Sequence, residues 1–165
     1  MAEAMFLRMP AAMLLGALLG WAARHRIAGQ TRAMFSVAAL VLASLVMPFW
    51  MLPLMMDKAA AVPLFGVARD VSLAFTGAAT VVCFSTWAPV LRHLWVLEQV
   101  SMLVRYAVWY GFAPVALCTA WDAAAQETVG QGLLAASLLL GGVYLAHCWR
   151  AWHEVLPGDG LTQRR

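Results

Sequence analysis

Residues 33–56 read AMFSVAALVLASLVMPFWMLPLMM, bounded by Arg32 on one side and Asp57 on the other. The run holds no charged residue, and it exceeds the ~20 residues that an α-helix needs to cross ~30 Å of hydrocarbon. It therefore predicts a membrane-spanning helix. Four further segments approach the same length, at residues 5–23, 71–90, 94–119 and 132–149. The expected fold is all-α: a single integral membrane domain, residues 1–165, built as a bundle of about five transmembrane helices.

Composition supports that reading. A hydrophobic fraction of 64% and a mean hydropathy of +0.78 leave too little polar surface for a soluble globule, which is about half apolar and a quarter charged. Eleven Lys and Arg against eight Asp and Glu give +3. In a membrane protein that balance reports orientation, and no basic run interleaved with aromatics points to nucleic acid. Cys83, Cys118 and Cys148 are widely spaced and odd in number, so they form neither a disulfide scaffold nor a zinc knuckle.

The charges in the linkers sort by side. Arg24, Arg26, Arg32, Arg92, Arg150, Arg164 and Arg165 fall on one side of the expected bundle, while Asp57, Lys58, Arg69, Asp70, Asp122 and Glu127 fall on the other. The positive-inside rule then places the N-terminus outside and the C-terminus in the cytoplasm of a bacterial inner membrane. Trp21, Trp87, Trp95, Trp149 and Trp152 mark the inner boundary, and Trp50 and Trp121 the outer one, as an interfacial aromatic belt requires. A cleaved signal peptide is the competing reading of residues 5–23. Ala12, Gly16 and Gly20 recur every four residues there and favour a retained helix with a smooth packing stripe. Ser137 with Gly141, and Gly142 with Ala146, repeat the spacing on the last segment.

Three constellations carry candidate chemistry. Met47, Met51 and Met55 are spaced by four, so a regular helix stacks their thioethers on one face near its outer end. Pro48 and Pro53 interrupt that helix and free the carbonyls of Ser44 and Phe49. Thioethers are soft ligands suited to Cu(I), and the thiol of Cys118 completes a candidate copper face. The competing reading is core packing, since methionine is a flexible gap-filler. In the fourth segment Glu98 and Arg105 lie two turns apart on one face. Arg105 is expected near the bilayer midplane, where a charge costs at least ~2.5–3.5 kcal/mol and must meet protein, water or a ligand. An anionic headgroup, a quinone or a haem propionate would each serve, as would pairing with Glu98. His93 and His147, at inner helix ends, form a possible axial pair for a b-type haem. The chain contains no HExxH, no GxSxG and no phosphate-cradling glycine loop, so nothing in it supports hydrolytic or nucleotide chemistry.

From Phe49-Trp50-Met51-Leu52-Pro53 with Asp57, through Ala68-Arg69, Ser72-Leu73 and Gly77, to Ala113-Pro114, Leu117-Cys118, Gln126 and Gly130, the chain resembles a group of small, largely uncharacterised proteobacterial inner-membrane proteins. Trp121 stands where that group carries a tyrosine and Ala125 where it carries an aspartate. The Met- and Pro-rich helix end also looks like the copper-delivery assembly factors of aa-type cytochrome oxidases, although their helix histidines have no counterpart here. These resemblances imply a non-enzymatic membrane protein that handles copper or assists assembly of a respiratory oxidase. The alternatives are an accessory structural subunit of a larger respiratory complex, or a small haem- or quinone-binding membrane subunit. The convergence of thioethers, thiol and carboxylates on one side favours copper.

Overall fold

The computed structural model describes residues 2–27, 29–113, 117 and 122–155, with side chains described for residues 7–150 of these. Cys118, Trp121 and Pro114 lie outside the described residues, as do Arg164 and Arg165. Among the described residues six α-helices follow in order: α1 Ala2–Ala23, α2 Gly29–Trp50, α3 Pro53–Ala61, α4 Pro63–Cys83, α5 Pro89–Phe112 and α6 Ala123–Val155, with a 3-10 turn at Phe84–Thr86 after α4. There is no strand among the described residues. Three stretches, Gly29–Trp50, Pro63–Thr86 and Ala123–Arg150, are long and apolar enough to cross a membrane. No more than 33% of any of them is buried in the bundle, so most of their apolar surface requires a surrounding other than water. The same holds on α1, where Leu7, Leu14, Leu15, Leu18 and Leu19 are exposed.

Prolines set the boundaries, and they correct three expected segments. The second segment does not reach residue 56: α2 passes over Pro48 but stops at Trp50. Leu52 is extended (φ −65°, ψ 133°) and Pro53 opens the separate helix α3, as expected where a residue precedes proline and proline occupies the first helical turn. Val62 repeats the device before Pro63. Consequently α4 begins at 63 rather than 71, and Arg69 and Asp70 lie within a helix instead of a linker. Pro89 likewise starts α5 early, and the helix ends at Phe112, with Ala113 extended ahead of Pro114. The last helix also starts early, at Ala123 instead of residue 132, because Asp122 Oδ1 accepts the Ala125 N–H at 2.7 Å and caps it.

Side-chain pairings fix the helix directions. Arg8 meets Asp70 and Gly20 meets Ala78, so α1 and α4 run parallel. Trp50 bonds Ser72 and Trp87 bonds Ser36, so α2 runs against the α4 unit. Tyr106 reaches Pro48 and Tyr110 reaches Met51, setting α5 parallel to α2. Gly111 faces Gly130 and His93 faces Tyr144, setting α6 against α5. The five long helices therefore alternate in direction. One end of the bundle gathers Met51, Met56, Asp70, Tyr110 and Gln126; the other gathers Arg24, Arg32, Arg92, His93 and His147. We call these the methionine end and the arginine end.

Helices α1 and α4 approach backbone to backbone. A Cβ built on Gly16 would stand 1.8 Å from the Ala74 carbonyl oxygen, and one on Gly77 would stand 2.2 Å from that of Met13. The Gly16–Gly20 stripe thus lies in a backbone-to-backbone seam. On α6 the tight position is Gly130, against Gly111. Gly142 meets nothing within 4 Å, so the Gly142–Ala146 stripe forms no seam with the other described residues.

Candidate functional sites along the bundle

Among the described residues, seven methionines collect at the methionine end. Met9, Met51, Met56 and Met102 are buried in one cluster with Trp50, Leu73, Leu103, Ala107, Tyr110, Val129 and Leu133, while Met13, Met47 and Met55 pack against it. Met47, Met51 and Met55 therefore share a cluster, but not the face of one regular helix. The break at Pro53 leaves Met47 on α2, Met51 in the turn and Met55 on α3. Met56, Met9 and Met102 join them from outside the expected set.

Polar side chains close the backbone that the prolines interrupt. Tyr106 Oη donates to the Pro48 carbonyl at 2.9 Å, and the buried Tyr110 Oη donates to the Met51 carbonyl at 2.7 Å. Phe49 O is met by the Leu52 N–H at 3.3 Å. Gln126, 2% exposed, donates from Nε2 to the Tyr110 carbonyl at 3.1 Å and accepts the Leu117 N–H at Oε1, 2.6 Å. These bonds tie α2, α5 and α6 into a unit at the proline break. On α4, Arg69 is buried and donates from Nε and Nη2 to Asp70 Oδ1 at 2.9 and 2.8 Å, and Asp70 also meets Arg8 at 3.6 Å. Arg69 Nη1 is buried without a partner. The burial of Arg69 had one sequence signal, its juxtaposition with Asp70. Neither tyrosine had any.

Glu98 and Arg105 are brought together, but on the outside of the bundle. Arg105 Nη2 lies 3.9 Å from Glu98 Oε1, and the side chains are 68% and 41% exposed. Arg105 Nε also approaches the Ser101 carbonyl at 3.4 Å, and Glu98 Oε2 accepts from Gln99 at 2.7 Å. At 1.5 Å of rise per residue, Glu98 and Arg105 stand about 4 and about 7 Å along the axis from the midpoint of α5. The early start of α5 therefore makes Glu98, not Arg105, the more central charge. The pair edges a groove of ≈370 Å³ between α2 and α5, lined also by Ser44, Pro48, Met102 and Tyr106.

At the arginine end His93 and His147 line one cleft of ≈350 Å³ with Arg92, Val96 and Tyr144. The His93 Nδ1 lies 2.6 Å from the Tyr144 hydroxyl, which leaves only Nε2 to face a ligand. Among the described residues no three His, Cys, Asp or Glu side chains gather as a metal-binding group. The methionine cluster thus remains the one collection of soft donors on the described chain large enough to consider for a soft cation. No protein-family model, curated protein or solved structure matches the chain.

Proposed function

We propose that all five long helices cross a bacterial inner membrane, arginine end in the cytoplasm, and that the chain is a non-enzymatic subunit that joins or assists a larger membrane complex through the α2–α5 face. One observation carries this reading: an ion pair close to the middle of a long helix faces outward. A lone charge at mid-bilayer costs at least ~2.5–3.5 kcal/mol, so such groups face protein or water. Against lipid, Glu98 and Arg105 would bear that cost with only a 3.9 Å contact between them. Against a partner helix with polar groups, the groove beside Met102 and Tyr106 gives the pair a protein surrounding. The resemblance noted above makes a respiratory oxidase the first complex to examine.

Native electrophoresis of membranes solubilised in a mild detergent tests this. The wild type should migrate within a species much larger than its own 17.9 kDa, and the Glu98→Gln/Arg105→Leu variant should run free. The purified variant should keep wild-type stability, because both side chains lie outside the packed core. A wild type that runs as the free chain would overturn the proposal.

A second reading, Cu(I) handling, is favoured by the collection of seven thioethers in one cluster. Competition against a Cu(I) chelator in detergent tests it. Met51→Leu conserves volume and costs under ~1.5 kcal/mol of packing, so a folded variant with weakened binding, weakened further by Cys118→Ser, is the expected result. Equal copper content in wild type and double variant would leave the thioethers as core.

A further inference from the structure

The arginine end holds a cavity that the proposed function does not use. It measures ≈580 Å³ and lies where the turn after α1, the start of α2, the end of α4 and the first turns of α5 meet, lined by Arg24, His25, Arg32, Phe84, Ser85 and Trp95 among others. We propose that this cavity binds a phosphate group, presented by the headgroup of an anionic phospholipid.

Charge is the first argument. Arg24 and Arg32 line one cavity, and the ion pairs among the described residues involve Arg8, Arg69 and Arg105 instead. No carboxylate lines the cavity. Like charges held together without a counter-charge repel, and an anion between them removes that repulsion. Arg32 also sits in the first turn of α2, which has no acidic residue. There the helix dipole opposes a cation and favours an anion.

Hydrogen bonding is the second argument, and it is independent. Two residues that line the cavity each hold a buried N–H donor with no hydrogen-bond partner, Arg32 Nε and Trp95 Nε1. A buried donor left unmade is costly, and native folds seldom leave two of them on residues that line one cavity. Phosphate oxygens accept from both. The neighbouring groups are meanwhile committed elsewhere, which gives the cavity a fixed wall. Arg92 donates to the carbonyls of Trp87 and Ser85 at 2.9 and 2.8 Å, pinning the 3-10 turn. Trp95 is held edge-on to Phe84 and Trp87, with centroids 6.2 and 5.7 Å away.

Position selects the source. Arg24 of the cavity lining stacks on the exposed Trp21 at 5.1 Å, and Leu18, one turn back on α1, is exposed as well. A headgroup in the cavity would leave its acyl chains along that apolar face, as in basic pockets between transmembrane helices.

The test uses the delipidated full chain in a neutral detergent, with phosphatidylglycerol or phosphatidylcholine added and retention read by native mass spectrometry. Phosphatidylglycerol should be retained in preference to phosphatidylcholine. Arg32→Gln should weaken its binding about tenfold or more, the usual loss for a hydrogen bond to a charged group. Trp95→Phe keeps an aromatic ring against Phe84 and Trp87, so it should remain folded and weaken binding by a smaller factor. Inorganic phosphate that displaces the lipid at matched concentration would uphold phosphate recognition and assign the ligand to solute; failure to displace it assigns the ligand to lipid. Equal retention of the two lipids, or wild-type phosphatidylglycerol binding in both variants, would overturn the inference. Neither variant touches the α2–α5 face, so this result and that of the electrophoresis are separable.

Discussion

Replacing Gly16 by alanine should be among the most damaging single-methyl changes in this protein. The added Cβ would stand 1.8 Å from the Ala74 carbonyl oxygen, 2.5 Å from its carbon and 2.7 Å from its Cα. All three are backbone atoms, so no rotamer change relieves the clash, and α1 must move off α4 by more than an ångström. Overpacking a tight core costs about 1–3 kcal/mol, occasionally more. Here the loss belongs at or above the top of that range, because separating the helices also forfeits the dispersion contacts along the seam, which hold helices together in lipid. Alanine would in addition gain up to about 1 kcal/mol of helix propensity over glycine, so the observed loss is a net figure. Gly142→Ala supplies the control, since its Cβ meets nothing within 4 Å and only the propensity gain remains. Steric-trap unfolding in bicelles measures both. The expected result is a net destabilisation of about 2 kcal/mol or more for Gly16→Ala, and neutrality or slight stabilisation for Gly142→Ala. Equal stability in the two variants would refute the α1–α4 seam and the parallel register on which it rests.

Tyr110→Phe removes the donor that meets the Met51 carbonyl at 2.7 Å in a buried site, so it should cost about 1–3 kcal/mol in the same unfolding assay, with little change in Tyr106→Phe beyond its own half-buried bond. For topology, reporter fusions after Arg32 and Arg150 should report cytoplasm and one at Asp122 the outside; an external signal after Arg150 would remove the alternating five-span arrangement.

The parts of the fold legible in the sequence are those that depend on apolar length and on spacing. Five apolar runs and a four-residue glycine repeat need no tertiary information, and α1, α2, α4, α5 and α6 answer to them. The boundaries were not legible from hydropathy, because a hydropathy window counts Leu52, Leu54, Met55 and Met56 as a continuation of α2, while the backbone restriction imposed by Pro53 ends the helix at Trp50. The same window counts Arg69 and Asp70 as two charges to be kept out of a helix. In the structure they neutralise each other across adjacent residues, and Arg69 is buried at 1% exposure. The tyrosines that bond the carbonyls of Pro48 and Met51 come from 58 and 59 residues away, a distance that no local pattern reports.

The polar groups of the bundle sort by whether this chain satisfies them. At the methionine end, carbonyls around the proline break meet Tyr106 and Tyr110, Gln126 is bonded at both ends, and Trp50 donates to Ser72 at 2.8 Å. A region so closed holds helices in register, and a ligand entering it must displace bonds already made. The outward Glu98–Arg105 pair and the arginine-end cavity are the reverse: charges and donors held in place by the fold but met poorly or not at all within it. Since unpaired polar groups in a membrane are costly, their retention on rigid elements argues for partners outside the chain. In the readings proposed above, a helix of another subunit would answer the first, and an anionic headgroup the second. Among the described residues the exception at the methionine end is Arg69 Nη1, which carries its charge beside Asp70 and so is already compensated electrostatically; two orphan donors around a cation cluster with no carboxylate in its lining are left without that compensation.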